Sequence, residues 1–372
     1  MNERVKRFKK ILKEKGLDGF IVTSPVNIYY LTGFRGVSAT EREAILVVNP
    51  SKVILITGRL YKHEASRLKS KSLDVKIADE RNQINQFIKS TITSLRGLTP
   101  KVGFEEHDLK YSEFKHFTKL LKGIKLIPVK HLIEDLRIIK SDEEIKNIER
   151  AQVISQKAFD QVIKTIKVGQ TEAEIAEKLE KIIKNFGGQG LAFESIVASG
   201  PNSALPHYVT GKRRIKKGDV LLFDFGAKYK NYCADLSRTI FIGRAKDQQK
   251  NIYHHVLEAQ KAAIEKIGRG SKSHEIHGHA TDIFKDEKLH KYFLHGLGHG
   301  IGLEVHENPH LRPLAKNRDP KEPIEELKEG MVFSVEPGLY FPDFGVRIED
   351  LVVLQNGKAR ILGKPVEDII EI

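Results

Sequence analysis

Asp224, Asp235, His299, Glu336 and Glu349 are the residues of this chain whose types could do demanding chemistry together. Four carboxylates and one histidine are too few ligands for two separate metal ions. They suffice for two divalent ions that share bridging carboxylates. If the five converge, the expectation is a dinuclear hydrolase. If they do not, the chain reads as a basic two-domain protein with no legible chemistry.

The elements that must bring them together are two hairpins. DVLLFDFGAKY and NYCADLSRTIFIG flank a Lys-Asn turn, with Asp224 and Asp235 eleven positions apart across it. VFSVEPGLYF and FGVRIEDLVVL flank Pro342 and Asp343, with Glu336 and Glu349 thirteen apart. An odd separation allows each pair to face across its hairpin, depending on register. Facing carboxylates in apolar strands repel, so they call for a cation between them.

An internal repeat strengthens this. IKKGDVLLFDFG (215–226) aligns with LKEGMVFSVEPG (327–338) at an offset of 112, matching Asp224 to Glu336 and Gly218 to Gly330. VGQTEAEI (168–175) aligns with RGSKSHEI (269–276) at an offset of 101, matching Gly169 to Gly270. The second half therefore reads as a diverged copy of the first, with roughly eleven extra residues inserted. That interval holds FLHGLGHGIGLEVHENPH, with His295, His299, His306 and His310 and a glycine at every second position from Gly296 to Gly302. Such alternation strips side chains from one face and lets backbone or substrate approach closely.

The first part of the chain alternates helix and strand signals. Val5, Phe8 and Leu12 line one face of an opening helix that Gly16 ends. Strands are expected at 19–24, 43–49 and 52–58, and amphipathic helices at 82–95 and 111–121. A capping box, Ser141 with Glu144, opens a long helix, and Thr171 with Glu174 opens another. The expected organisation is a smaller α/β domain over 1–132 and an α+β catalytic domain over 133–372.

Composition bounds the rest. Hydrophobic residues make up 40% and charged residues 30% of 372 residues, an ordinary globular balance. No apolar run is long enough for a membrane span. The basic N-terminus lacks an apolar segment and cleavage site, so no signal peptide is expected. Cys233 is the single cysteine, which excludes an intrachain disulfide and a thiolate zinc cluster and suits the cytoplasm. Of the net charge of +14, residues 1–140 supply +13 (28 Lys and Arg against 15 Asp and Glu). The lysines are scattered over polar helix faces with no nucleic-acid motif, which reads as a solvated surface and not as a nucleic-acid site.

With these residues in hand, the chain resembles the pita-bread metallopeptidase family, in its proline-peptidase branch of Xaa-Pro aminopeptidases and Xaa-Pro dipeptidases (prolidases). NIYYLTGF (27–34) and LRIIKSDEEI (136–145) are similar to its N-terminal domain and junction. SGPNSALPHY (199–208), FDFGAKYKNYCADLSRT (223–239), HGLGHGIGLEVHE (295–307), EPGLY (336–340) and GVRIED (345–350) are similar to its catalytic signatures. The resemblance implies a creatinase/prolidase-like N-terminal domain before a pita-bread domain of duplicated helix-plus-antiparallel-sheet halves. Methionine aminopeptidase is a weaker match because it usually lacks the N-terminal domain, and creatinase shares both domains without the metal ligands.

The resemblance also implies roles. Asp224 would chelate one metal, Asp235 and Glu349 would bridge, and His299 and Glu336 would hold the second. The mixed set suits Mn²⁺, Co²⁺, Fe²⁺ or Zn²⁺. Glu336 would move the proton toward the leaving proline nitrogen. His207 and His306 would contact substrate, and His295 would line the cleft. Arg347, on the same strand face as Glu349, would fix a bridging carboxylate. Thr239 would bond the metal cluster through its hydroxyl, and Cys233 would pack as a small apolar residue. A homodimer is implied, one subunit's N-terminal domain helping to wall the other's cleft. The expected activity is Xaa-Pro aminopeptidase, with Xaa-Pro dipeptidase as the alternative. The substrate in either case has proline in second position, a tertiary amide with no N–H for a general peptidase to grip. The rival reading is a basic nucleic-acid or ribosome-binding protein on the same fold; five intact ligands argue against it.

Overall fold

A computed structural model of the protein describes residues 3–36, 41–93, 99–315, 317 and 324–372. It divides into two compact units, Met1–Leu136 and Arg137–Ile372.

The first unit is a six-stranded mixed sheet flanked by helices. Its strand order is Asp74–Ala78, Val53–Gly58, Ala44–Val48, Gly19–Val22, Lys101–Glu105, Lys125–Val129. The central strands are buried on both faces and read as continuous apolar runs, as GFIV and AILVV do. Helix Glu3–Glu14 buries Val5, Phe8 and Leu12, and Gly16 follows it at φ +64°, where L side chains are strained. The helices expected at 82–95 and 111–121 are Arg81–Thr93 and Tyr111–Leu120. Residues 94 and 95 lie outside the described residues. Among the described residues no helix is long and apolar enough to cross a membrane.

The second unit is built twice from the same parts. Helices Asp142–Ile163 and Glu172–Asn185 precede strands Ile196–Ser199, Val220–Phe225 and Leu236–Phe241. Helices Asp247–Lys266 and Ser273–Asp286 precede strands Gly298–Gly300, Val332–Val335 and Asp350–Gln355. Both expected capping boxes are present, Ser141 with Glu144 and Thr171 with Glu174. The matched glycines Gly218 and Gly330 sit at φ +87° and +83°, so the same left-handed turn launches both hairpins.

Each half packs its sheet on its own helices. In the first, Leu221, Phe223 and Phe225 share a core with Ile154, Phe159 and Leu179, and Phe159 meets Phe223 edge-to-face with centroids 5.5 Å apart. In the second, Phe333, Val335, Val352 and Leu354 pack with Val256, Ile276 and Phe284. Each such side chain contributes about 1.5–3 kcal/mol by leaving water. The alternate residues of the first hairpin's opening strand, Leu222 and Asp224, take the other face.

The register shows how far the repeat extends. Phe223 pairs with Arg238 and Val220 with Phe241. Val335 pairs with Asp350 and Val332 with Val353. One offset of 112 carries four of the six pairs of the first ladder, Phe223–Arg238 through Val220–Phe241, onto the four of the second. It also carries Lys228 opposite Cys233 onto Tyr340 opposite Gly345 beyond the carboxylates. The two carboxylate pairs are therefore unlike. Glu336 lies directly across from Glu349, whereas Asp224 lies across from Ser237. Asp235 sits two residues nearer its turn, at the place that Arg347 takes in the second hairpin.

Candidate metal centre

All five residues named above come together at one end of the second unit. Asp224 is the next-to-last residue of Val220–Phe225, and Asp235 lies between the returning strands Tyr232–Cys233 and Leu236–Phe241. His299 is the middle residue of Gly298–Gly300, and Glu336 and Glu349 fill the gap between the ladders of the second hairpin. The glycines beside His299 are required sterically. A Cβ on Gly298 would lie 2.0 Å from the Ser334 carbonyl oxygen, and one on Gly300 would lie 2.1 Å from that of Asn308. Bare backbone lets neighbouring strands close in and delivers the His299 ring inward.

His299 Nδ1 donates to the Gly300 carbonyl at 3.0 Å, which turns Nε2 toward the carboxylates. Nε2 is 3.3 Å from Glu336 Oε1 and 3.6 Å from Asp235 Oδ2. Ligand atoms of Asp235, His299 and Glu349 all lie within 4.8 Å of one another. Two oxygens of the group, Asp235 Oδ1 and Glu349 Oε1, are buried with no hydrogen-bond partner among the described residues. Buried carboxylate oxygens are rarely left this way unless a cation belongs between them. The residues present fit a divalent metal with carboxylate and imidazole ligands.

Electrostatics follow from the crowding. Burial, then the charges of Glu349, Asp224 and Glu336, pushes Asp235 well above the usual carboxylate range. Burial and the charges of Glu336 and Asp224 do the same to Glu349. Burial also works against charge on Glu336, but hydrogen bonding to His299 and the charges of His299, His295 and Arg347 outweigh it and hold Glu336 low. His299 is penalised by burial, yet Glu336 and Glu349 raise it to about 9.

Polar side chains behind the five fix their orientation. Arg347 Nη2 donates to Asp224 Oδ2 at 2.6 Å, and its Nε donates to Ser237 Oγ at 2.8 Å. Ser237, its one proton thereby free to point onward, donates to Glu349 Oε2 at 2.9 Å. Ser334 Oγ donates to Glu336 Oε1 at 3.0 Å and accepts from His299 N at 3.0 Å. Two expectations change here. Arg347 holds Asp224 directly and reaches Glu349 only through Ser237, because its side chain extends across the sheet to the first hairpin. Thr239 does not touch the carboxylates; its hydroxyl bonds the Arg347 backbone at 2.9 and 3.1 Å. Ser237, two residues earlier on the same face, takes the place expected of Thr239. Cys233 is buried and packs as expected, its thiol pushed up to about 11 by burial.

A cleft of about 600 Å³ opens over the group. His207, His295 and His306 line it, with Asp224, Asp235, His299, Glu336 and Arg347. The His306 ring lies 4.2 Å from that of His299. His295 is tied back: Nδ1 donates to the Gly296 carbonyl at 2.7 Å, and Nε2 accepts from the Tyr340 hydroxyl at 2.9 Å. Tyr340 in turn accepts from Arg347 Nη1 at 2.6 Å. Sequence reasoning missed Ser237, Ser334 and Tyr340, which are ordinary residue types in ordinary strands. It also missed Arg312 on the cleft wall. Its position just after HENPH was the available signal.

A buried carboxylate–imidazole group at the mouth of a duplicated α+β unit defines a metal-dependent hydrolase. Residues 146–356 match the model of metallopeptidase family M24, and residues 4–139 match that of the Creatinase/Prolidase N-terminal domain. The chain is 36% identical to the Xaa-Pro dipeptidase of Pyrococcus furiosus, over 100% of both chains. Its structure is similar to that of an Xaa-Pro dipeptidase from Bacillus anthracis (TM-score 0.91, 32% identity, 100% of this chain and 99% of that one). It is also similar to an X-Pro aminopeptidase from Thermotoga maritima (TM-score 0.87, 31% identity, 99% of both). The chain belongs to metallopeptidase family M24, on the pita-bread fold with its smaller N-terminal domain, and is an enzyme that hydrolyses peptides.

Proposed function

We propose that this enzyme is an Xaa-Pro dipeptidase, a prolidase, using two divalent ions held by Asp224, Asp235, His299, Glu336 and Glu349. The aminopeptidase reading put first on sequence gives way to its alternative for two reasons. Relatives named as Xaa-Pro dipeptidases match the chain end to end. The second reason, and the observation that carries the reading, is Arg312. It lines the cleft beside His310, no hydrogen bond or ion pair engages it among the described residues, and its charge helps depress that histidine after burial has done so. A dipeptide ends in a carboxylate one residue past the scissile bond, and an unpaired guanidinium in the cleft is the group to receive it.

Bound divalent ions supply Lewis acidity toward the scissile carbonyl and ease deprotonation of the attacking water. The chain's own residues do the rest. Asp235 and Glu349 present their unpartnered oxygens between the two hairpins, and Ser237 and Arg347 keep those hairpins' carboxylates from rotating. Glu336 accepts the water's proton and passes it to the proline nitrogen, which must be protonated to leave as an amine. His207 and His306 offer hydrogen bonds to the peptide as its carbonyl becomes tetrahedral.

The test compares Leu-Pro, Leu-Pro amide and a Leu-Pro-Yaa-Zaa tetrapeptide. The free dipeptide is expected to be hydrolysed fastest. Arg312→Ala should cut kcat/KM for the dipeptide by about 10- to 100-fold, the worth of a charged hydrogen bond, and leave the amide unaffected. A tetrapeptide cleaved as fast as the dipeptide would sink the dipeptidase reading and restore the aminopeptidase.

A further inference from the structure

Glu172 is a fully buried carboxylate outside the metal centre. It opens helix Glu172–Asn185, directly after the Thr171 cap. An ionised carboxylate taken out of water costs several kcal/mol unless donors surround it. Here four donors do. Ser199 N and Ser199 Oγ each donate to Oε1 at 2.7 Å, Asn202 Nδ2 donates to Oε1 at 3.0 Å, and the Tyr208 hydroxyl donates to Oε2 at 2.8 Å. Asn202 also donates to the Tyr208 hydroxyl oxygen at 2.8 Å. The Tyr208 phenol is pushed up to about 12 by burial and by its bond to Glu172, so it remains a donor.

The fold alone does not ask for a carboxylate at this place. The repeat carries Glu172 onto Ser273. Both backbone N–H groups make the same kind of loop contact, Glu172 to the Arg213 carbonyl at 3.1 Å and Ser273 to the Glu325 carbonyl at 3.0 Å. A serine therefore serves the second half. The carboxylate occurs in the half whose loop carries His207.

His207 sits between the donors. Ser199 and Asn202 precede it and Tyr208 follows it directly. Among the described residues no hydrogen bond or ion pair engages its ring, and it lines the cleft with His295 and His306. A ring with no partner is aimed by its backbone. On one side Arg347 Nη1 donates to the Pro206 carbonyl at 3.3 Å. On the other, Tyr208 is tethered to Glu172. Removing that tether frees the loop on the side away from the metal ligands.

We infer that Glu172, acting through Tyr208, is a positioning residue for His207 in substrate binding and turnover. The inference rests on His207 contacting the peptide, as in the proposed function. It is tested by steady-state kinetics of the metal-loaded full chain on Leu-Pro, with metal content measured in each variant. His207→Ala should lower kcat/KM at least tenfold. Tyr208→Phe and Glu172→Gln should each lower it about fivefold, the worth of one hydrogen bond near 1 kcal/mol, with metal content unchanged. Added to His207→Ala, neither should lower it further, because their effect is exerted through that ring. Losses that multiply in the His207→Ala background would assign Glu172 a purely structural role and overturn the inference. So would a Tyr208→Phe enzyme within twofold of the parent, and that arm decides should Glu172→Gln fail to fold. Full activity in His207→Ala alone would instead strike down the role of His207, and this inference with it.

Discussion

The two hairpins share a register and differ in what they place on it. Positions related by the offset of 112 hold Asp224 and Glu336, then Asp235 and Arg347, then Ser237 and Glu349. Only the first pair keeps the same chemistry. At the second, an anion in one half is answered by a cation in the other, and that cation binds Asp224 of the opposite hairpin. At the third, a hydroxyl is answered by a carboxylate, and the two are hydrogen-bonded to each other. A symmetric centre copied from the first half would hold four acids and two serines, and one copied from the second would hold four acids and two arginines. Divergence has turned two of the three repeated positions into cross-links between the halves. The duplication supplies the scaffold, and its broken symmetry supplies the site.

Substitutions at these matched positions should separate the two contributions. The largest effect is expected for Asp235→Ala, which removes a proposed metal ligand with a buried oxygen unpartnered among the described residues. Hydrolysis of Leu-Pro should fall by about a thousandfold or more, since several kcal/mol of Lewis-acid stabilisation go with the metal. Metal analysis of the purified variant should find less bound ion, and unchanged activity would contradict the metal assignment. Arg347→Ala comes next. Removing this support of Asp224 should weaken metal binding by about 10- to 100-fold, read by titration with Mn²⁺ or Co²⁺. Ser237→Ala should cost about tenfold in the same titration, with Ser237→Thr restoring it because the hydroxyl is kept.

The last comparison concerns the scaffold and is read in stability, not in metal binding or turnover. Gly226 and Gly338 are matched, but a Cβ on Gly226 would lie 1.7 Å from the Ala234 carbonyl oxygen, whereas one on Gly338 would meet the tip of the Tyr340 side chain at 2.6 Å. Backbone cannot move aside, whereas the Tyr340 ring can shift at the cost of its bonds to Arg347 and His295. Gly226→Ala should therefore destabilise by about 3 kcal/mol and Gly338→Ala by about 1 kcal/mol in urea unfolding. Equal losses would mean the two turns are interchangeable after all.

Much of this was legible in the sequence. The repeat could be read because turn glycines and apolar alternation are imposed by backbone geometry, which both halves must satisfy. The five acidic and histidine positions were readable because charges inside apolar strands are costly and demand a reason. The register was not. Separations of eleven and thirteen look alike on paper, yet one sets Asp224 across from Ser237 and the other sets Glu336 across from Glu349. The hydroxyl that touches Glu349 was placed at Thr239 instead of Ser237, because both face the same way and only three-dimensional contact chooses between them. The tether at Glu172 was invisible for a similar reason, and Arg312 was marked only by its place just after HENPH. A surface arginine and a glutamate in the first turn of a helix are commonplace until their neighbours are known.

The stitching between the hairpins also has a kinetic consequence. Glu349 N donates to the Ser237 carbonyl at 3.1 Å, and Arg238 Nη2 donates to the fully buried Asp350 at 2.7 Å. These contacts join segments more than a hundred residues apart in the chain, whereas the two strands of each ladder close over 21 residues or fewer. Long loops are costly to close before their contacts reward them. Each helix and each hairpin can therefore form early, and the carboxylates meet only when the halves dock. In a refolding experiment, circular dichroism should recover before peptide hydrolysis does, so that competence to turn over substrate reports the last event of folding.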